Sequence, residues 1–121
     1  MLALVSGGLD SILAARVIKE QRVEVLPVHF LHPWGCGSWD AVRLITRQLG
    51  LEPRIVEAGR DFIAAVRNPR FGRGRNFNPC VDCRVFMFRS LFSLMAETGS
   101  EAIITGEVLG QRPMSQLRKK M

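Results

Sequence analysis

A chain of 121 residues has room for one domain around one core, which excludes separate catalytic and binding domains within it. Hydrophobic residues at 47% and charged residues at 23% are globular proportions, unlike those of a disordered chain, a collagen-like chain or a disulfide scaffold. The net charge is +6 and the pI is near 10.2, and 14 of the 17 bases are Arg, whose planar fork matches phosphate oxygens, so the balance points to nucleic acid or a phosphorylated ligand.

In chain order, residues 2–5 are an apolar run that stops at Gly7-Gly8, and Leu9, Ile12, Leu13, Val17 and Ile18 then recur at helical spacing to about Gln21. Residues 23–30 predict a second strand and residues 38–49, with Val42, Ile45 and Leu49 on one face, a second helix closed by Gly50. A third strand is predicted over 54–58, a short helix over 61–66, a long helix over 79–98 and a fourth strand over 102–105. Strands alternating with helices predict an α/β fold in three layers, a parallel sheet with helices on both faces.

Residues 67–78 lack periodicity and are dense in Gly and Arg, the composition of a long surface loop that carries function. Pro113 opens a last helix that reaches Met121 after barely two turns, so a further strand or a further piece of protein is expected beyond residue 121. The longest apolar runs, 1–5 and 102–104, fall far short of the roughly 18–20 residues of a membrane helix. No basic segment follows Met1 and the apolar start breaks at Ser6, so no secretory signal is read and a cytoplasmic protein is expected. Three cysteines, two of them in a C-x-x-C, then read as metal-binding, redox or catalytic thiols.

Ser6-Gly7-Gly8-Leu9-Asp10-Ser11 lies between the first strand and the first helix, where backbone N–H groups and the helix dipole make an anion site. Gly7 and Gly8 let the backbone approach phosphate oxygens, the Ser6 and Ser11 hydroxyls can donate to them, and Asp10 can hold a bridging Mg²⁺. The spacing is neither a Walker A loop nor G-x-G-x-x-G, and the plainer alternative is a Gly-rich turn capped by Asp10.

This hexapeptide after an N-terminal strand resembles the PP-loop of the ATP pyrophosphatases, whose fold is Rossmann-like, of the adenine-nucleotide alpha-hydrolase type. Asn78-Pro79-Cys80-Val81-Asp82-Cys83 and Thr105-Gly106-Glu107-Val108-Leu109-Gly110-Gln111 resemble the tRNA-thiolating branch of that superfamily, which includes 2-thiouridylases and 4-thiouridine synthases. The resemblance covers residues 1–121 as one PP-loop ATP-binding domain. It implies a transferase that adenylates a nucleobase carbonyl, uridine in tRNA, releases pyrophosphate and then displaces AMP with sulfur from a donor protein or sulfide. Gly106 and Glu107 are then expected beside the nucleotide, with the backbone of Val28, His29 and Phe30 against adenine. In the thiouridylase pattern the position of Cys80 is Asp and that of Cys83 is Cys, so Cys83 maps onto the reactive thiol and Cys80 is a departure.

Asn78 as N-cap and Pro79 as first helical residue put Cys80 and Cys83 in one turn, where the helix N-terminus, Arg75 and Arg84 favour thiolate. Asp10, Cys80 and Cys83 are the candidate catalytic residues. Cys36, after the second strand, lies on the same sheet edge, so Cys36, Cys80 and Cys83 are candidate ligands of a [4Fe–4S] cluster with one iron open to sulfide. In the enzymes this resembles, the third cysteine follows the C-x-x-C instead of preceding it. Persulfide chemistry at Cys83 with Cys80 or Cys36, Zn²⁺ with His29 or His32, and a buried or disulfide-linked pair stay open.

Arg67, Arg70, Arg73, Arg75, Arg84 and Arg89 face a single acid, Asp82, over this part of the chain. Arg70, Arg73, Arg75 and Arg112 are the candidate RNA contacts, with Arg118, Lys119 and Lys120 extending the basic surface. Phe71 and Phe77 interleave with the arginines; stacking on an unpaired base is one reading, and packing into the core is the one we favour. Met87, Phe88, Leu91, Phe92, Leu94 and Met95 are read as core. An open sheet edge would suit a second copy of the chain. Two rivals stand: a PP-loop synthetase acting on a small acid, and the non-catalytic nucleotide-binding part of a larger RNA-modifying enzyme.

Overall fold

The structure, a computed structural model, describes residues 1–33, 37–73 and 79–111. Four strands, β1 (Leu2–Leu4), β2 (Leu26–Leu31), β3 (Arg54–Glu57) and β4 (Ile103–Thr105), form one parallel sheet in the order β3-β2-β1-β4. Helices α1 (Leu9–Glu20), α2 (Trp39–Gln48), α3 (Arg60–Arg67) and α4 (Cys80–Thr98) connect them.

Strand alternation sends Ala3 and Val5 to one face of the sheet, where they pack with Ile12, Ala15 and Val42 of α1 and α2. Leu2 sits on the other face with Val28 and Phe30, against Leu91 and Leu94 of α4. Here α3 packs on α4 edge-to-face, the Phe62 and Phe86 ring centroids lying 5.2 Å apart. Leu2, Val28, Phe62 and Leu91 are essentially inaccessible, each contributing on the order of 1.5–3 kcal/mol of burial free energy. The sheet is therefore covered on both sides, as the element order predicts.

The second strand starts at Leu26, three residues later than its apolar run. Leu26 donates its N–H to Met1 O and Val5 N–H reaches Val28 O, which sets the β1–β2 register. Pro27 sits between them without breaking the ladder, because β3 pairs with β2 only from Val28 onward and no partner awaits an N–H at 27. At the start of α2, Ser38 caps the helix by accepting the N–H of Ala41.

Two expectations need correction. Pro79 occupies the N-cap position of α4, with no side-chain cap, and is not its first helical residue; Asn78 lies outside the described residues. Phe92 does not join the core but is 60% exposed on the outer side of α4. The helix expected from Pro113 lies outside the described residues. No helix among the described residues is long and apolar enough to cross a membrane.

Candidate nucleotide and thiol site

The loop from β1 to α1 is closed by its own serines. Ser6 N–H donates to Ser11 Oγ at 3.3 Å, Ser11 O–H donates to Gly8 O at 2.9 Å, and Gly8 N–H approaches Ser6 Oγ at 3.4 Å. Gly7 has φ +86°, the left-handed region that favours glycine, and an added Cβ would press on Val42 and Ser38 O of α2. Gly8 caps α1 through its backbone alone, which leaves the first-turn amides of the helix without intrahelical acceptors.

From the other side, β4 ends against that same turn. A Cβ on Gly106 would lie 2.5 Å from the carbonyl carbon of Asp10 and closer still to the Ser11 amide nitrogen, so only glycine fits. Gly37 is similarly confined beneath the loop, where a Cβ would overlap the Ser6 carbonyl.

These elements surround a cavity of about 510 Å³ at the carboxyl ends of the strands, within the usual volume range of ligand pockets. Ser6, Gly8, Asp10 and Ser11 line it from the loop, and His29, Phe30, Gly106 and Glu107 from the strand ends. Cys80, Cys83 and Arg84 line it from the first turn of α4. Gly7 and Val28 do not: Gly7 packs on α2, and Val28 is fully buried with its carbonyl bonded to Val5 N–H. Arg70 and Arg73 lie outside the cavity lining, and Cys36, Arg75 and Arg112 outside the described residues.

Gln111 reaches Asp10 at 3.3 Å through its side-chain amide, tying the segment after β4 to α1. Arg84, which sequence reasoning assigned to the thiols, is ion-paired with Glu107 and lies 5.7 Å from the Phe88 ring centroid. His29 is buried, donates its Nδ1–H to Val5 O at 2.8 Å and stacks on Trp39. A carbonyl can only accept, so this bond fixes the proton on Nδ1. His32 is buried beside Phe62, and its pKa is held below 6.5, first by burial and then by the charge of His29. Cys80 is exposed and Cys83 half-buried, both as thiols.

Sequence reasoning passed over Asp82, whose signal was its standing as the single acid in the arginine run. Its carboxylate is buried and accepts the backbone N–H groups of Arg70 at 2.7 Å and Phe71 at 3.1 Å. Arg73 turns back onto α3, donating to Arg67 O at 2.7 Å and Val66 O at 3.3 Å. Phe71 is 55% exposed, so the expected packing of this residue is corrected; Phe77 lies outside the described residues.

The family model of the tRNA methyl transferase HUP domain matches residues 1–116. The chain belongs to that family. The HUP domain is of the PP-loop type, consistent with the Ser6–Ser11 loop. The domain is 32% identical over 118 residues to the tRNA-specific 2-thiouridylase MnmA of Syntrophotalea carbinolica, covering 88% of this chain and 34% of that protein. It is 31% identical over 117 residues to a probable tRNA sulfurtransferase of Thermococcus kodakarensis, covering 92% of this chain and 30% of the relative. The chain thus spans about a third of the length of the curated relatives it matches.

Proposed function

We propose that this HUP domain binds ATP, adenylates a nucleobase carbonyl of tRNA, uridine being the base, and lets a sulfur carried by Cys83 displace AMP. The observation that carries the reading is the sharing of one cavity by the Ser6–Ser11 loop and the Cys80–Cys83 turn. The loop's amides and the Ser6 hydroxyl hold the pyrophosphate of ATP at the positive end of α1, while Ser11 clasps the loop and the close approach of Gly106 keeps that end fixed. The uracil oxygen attacks the α-phosphorus as the bond to pyrophosphate breaks. A sulfur on Cys83 then attacks the activated carbon, the C–O bond breaks, and AMP leaves with the former carbonyl oxygen. The base is then still joined to Cys83 through that sulfur. Attack of the Cys80 thiolate on Cys83 Sγ breaks this S–S bond, forms a Cys80–Cys83 disulfide and releases the thiolated base, with a reductant needed to restore both thiols.

The carboxylate of Asp10 suits a hard cation, and Mg²⁺ held there with phosphate oxygens would neutralise charge on the departing pyrophosphate. Among the described residues no three His, Cys, Asp or Glu are grouped to hold a metal ion, and the steps above run through thiols alone. A three-cysteine cluster requires Cys36. Anaerobic purification with iron, sulfide and zinc analysis of the wild type and Cys36→Ala tests it: iron and sulfide in equal amounts, lost in the variant, would replace persulfide chemistry with cluster chemistry.

The reading as a whole is tested by pyrophosphate release from ATP with and without unmodified tRNA, together with sulfur incorporation from a persulfide donor. Release that depends on tRNA, with thiolation lost in Cys83→Ser, is expected. Release driven by a small carboxylic acid without tRNA would move the domain to the synthetases. Nucleotide binding with neither release nor thiolation would make it the nucleotide-holding part of a larger enzyme.

A further inference from the structure

The first turn of α4 has two working sides. Cys80 and Cys83 face the cavity, whereas Asp82, roughly 200° round the helix from Cys80, is absent from its lining. On that other side the Asp82 carboxylate holds the turn that follows α3. Both of its oxygens are engaged, by Arg70 N–H and Phe71 N–H.

The turn is fixed at three further points. Gly72 N–H closes onto Pro69 O at 3.4 Å, with Gly72 at φ +76°, a value that selects glycine. The guanidinium of Arg73 bonds the last carbonyls of α3. Asn68 N–H bonds Ala64 O, continuing the helix into the turn. At the tip, between the exposed residues Arg70 and Arg73, stands Phe71, 55% exposed.

An exposed phenylalanine alone signals nothing. Here a buried carboxylate, a left-handed glycine and an arginine cap hold the backbone around it, and the anchor is the helix turn that carries the two thiols. An exposed aromatic ring carried on a pre-ordered backbone, next in sequence to the exposed Arg70, is a stacking platform for an unpaired base, since every base offers a π-face and an arginine can meet the adjoining phosphate. Rigidity lowers the ordering cost of such a contact.

We propose that Phe71 stacks on an unpaired base of the RNA substrate, and that Asp82 is the positioning residue that sets this platform relative to Cys80 and Cys83. The proposal rests on the RNA reading above and adds to it the residue that grips a base.

The test uses the full chain and two probes, an unmodified tRNA transcript and a single-stranded oligoribonucleotide containing 2-aminopurine, whose fluorescence is quenched by stacking. Phe71→Ala is expected to abolish the quench and weaken binding about tenfold, with the salt dependence unchanged. Phe71→Trp is expected to restore both, and Arg70→Gln to lower the salt slope while keeping the quench. Asp82→Asn is expected to reduce the quench while ATP affinity stays at the wild-type value, a split that general loosening of the fold would not give. Wild-type affinity and quench in Phe71→Ala, with RNA still bound, would overturn the stacking role alone. Failure of the wild-type chain to bind either probe would overturn the RNA reading and this inference together.

Discussion

The carboxylate of Glu107, at the carboxyl end of β4, is ion-paired with the guanidinium of Arg84, the residue after Cys83 in α4. Two walls of the cavity are thereby joined by charge: the wall built by the sheet and the wall that carries the thiols. Both partners are mostly shielded, at 14% and 23% side-chain exposure, so removing one leaves the other partly desolvated. Glu107→Gln is expected to lower unfolding stability by about 1–2 kcal/mol, read in urea titrations. It should also weaken the coupling between nucleotide binding and alkylation of Cys83, measured as the protection that ATP gives the thiol. Unchanged protection would show that the pair only braces the fold.

Gly106→Ala should be damaging out of proportion to one methyl group. The new carbon overlaps the backbone of Asp10 and Ser11, where neither neighbour is a flexible side-chain end. A displacement of the first turn of α1 is required, at a cost of about 1–3 kcal/mol. ATP affinity, by calorimetry, is expected to fall more than stability does. Alanine at Gly59, where an added Cβ meets nothing within 4 Å, serves as the matched control.

Ser11→Ala removes one hydroxyl that both accepts from Ser6 N–H and donates to Gly8 O. The loop then loses its internal clasp, and a loss of about 1 kcal/mol in stability is expected. Nucleotide affinity should drop about tenfold, because the clasp made by Ser11 holds the loop's backbone amides in the geometry that meets phosphate. Ser11→Thr, which keeps the hydroxyl, is expected to recover part of the loss.

His32 makes stability depend on pH. Its folded pKa lies below its ordinary value of 6.5 because burial, and then the charge of His29, disfavour the imidazolium. The unfolded chain therefore binds more protons than the folded one between the two values. Stability is full above about pH 6.5 and falls as pH drops from there toward the folded pKa. Urea midpoints measured from about pH 7.5 down to about pH 5 should show this loss, and His32→Gln should flatten it.

Much of the fold could be read from apolar spacing because α2 and α3 are strongly amphipathic and the strands short, whereas α4 carries apolar residues on several sides and its outward Phe92 was misread. Ala3 against Leu2, or Val42 with Ile45, declare their faces in sequence. What spacing could not give were contacts between residues far apart in the chain. Gly106 looked like one glycine in a motif; its confinement by Ser11 exists only once β4 lies beside β1. Asp82 looked like a stray acid among arginines, and its role appears only when the turn after α3 folds back onto α4. Phe71 was misjudged because hydrophobicity favours the interior, whereas the bonds of its backbone to Asp82 decide where it stands. Arg84 was assigned to the thiols by sequence proximity, while its nearest opposite charge arrives from β4, more than twenty residues along the chain.

β1 is flanked on both sides: Leu2 pairs with Leu26 in one direction and with Ile103 in the other. β1 is thus completed by β4, the last of the four described strands in chain order. Until residue 103 is available, the β1 backbone lacks one of its two neighbours, and Ser11 lacks the glycine that closes over it. The Ser6–Ser11 loop follows directly on β1, yet one of its walls is supplied by Gly106, which follows β4. Formation of this site is tied to the long-range closure that brings Ile103 beside Leu2, a slow class of folding event.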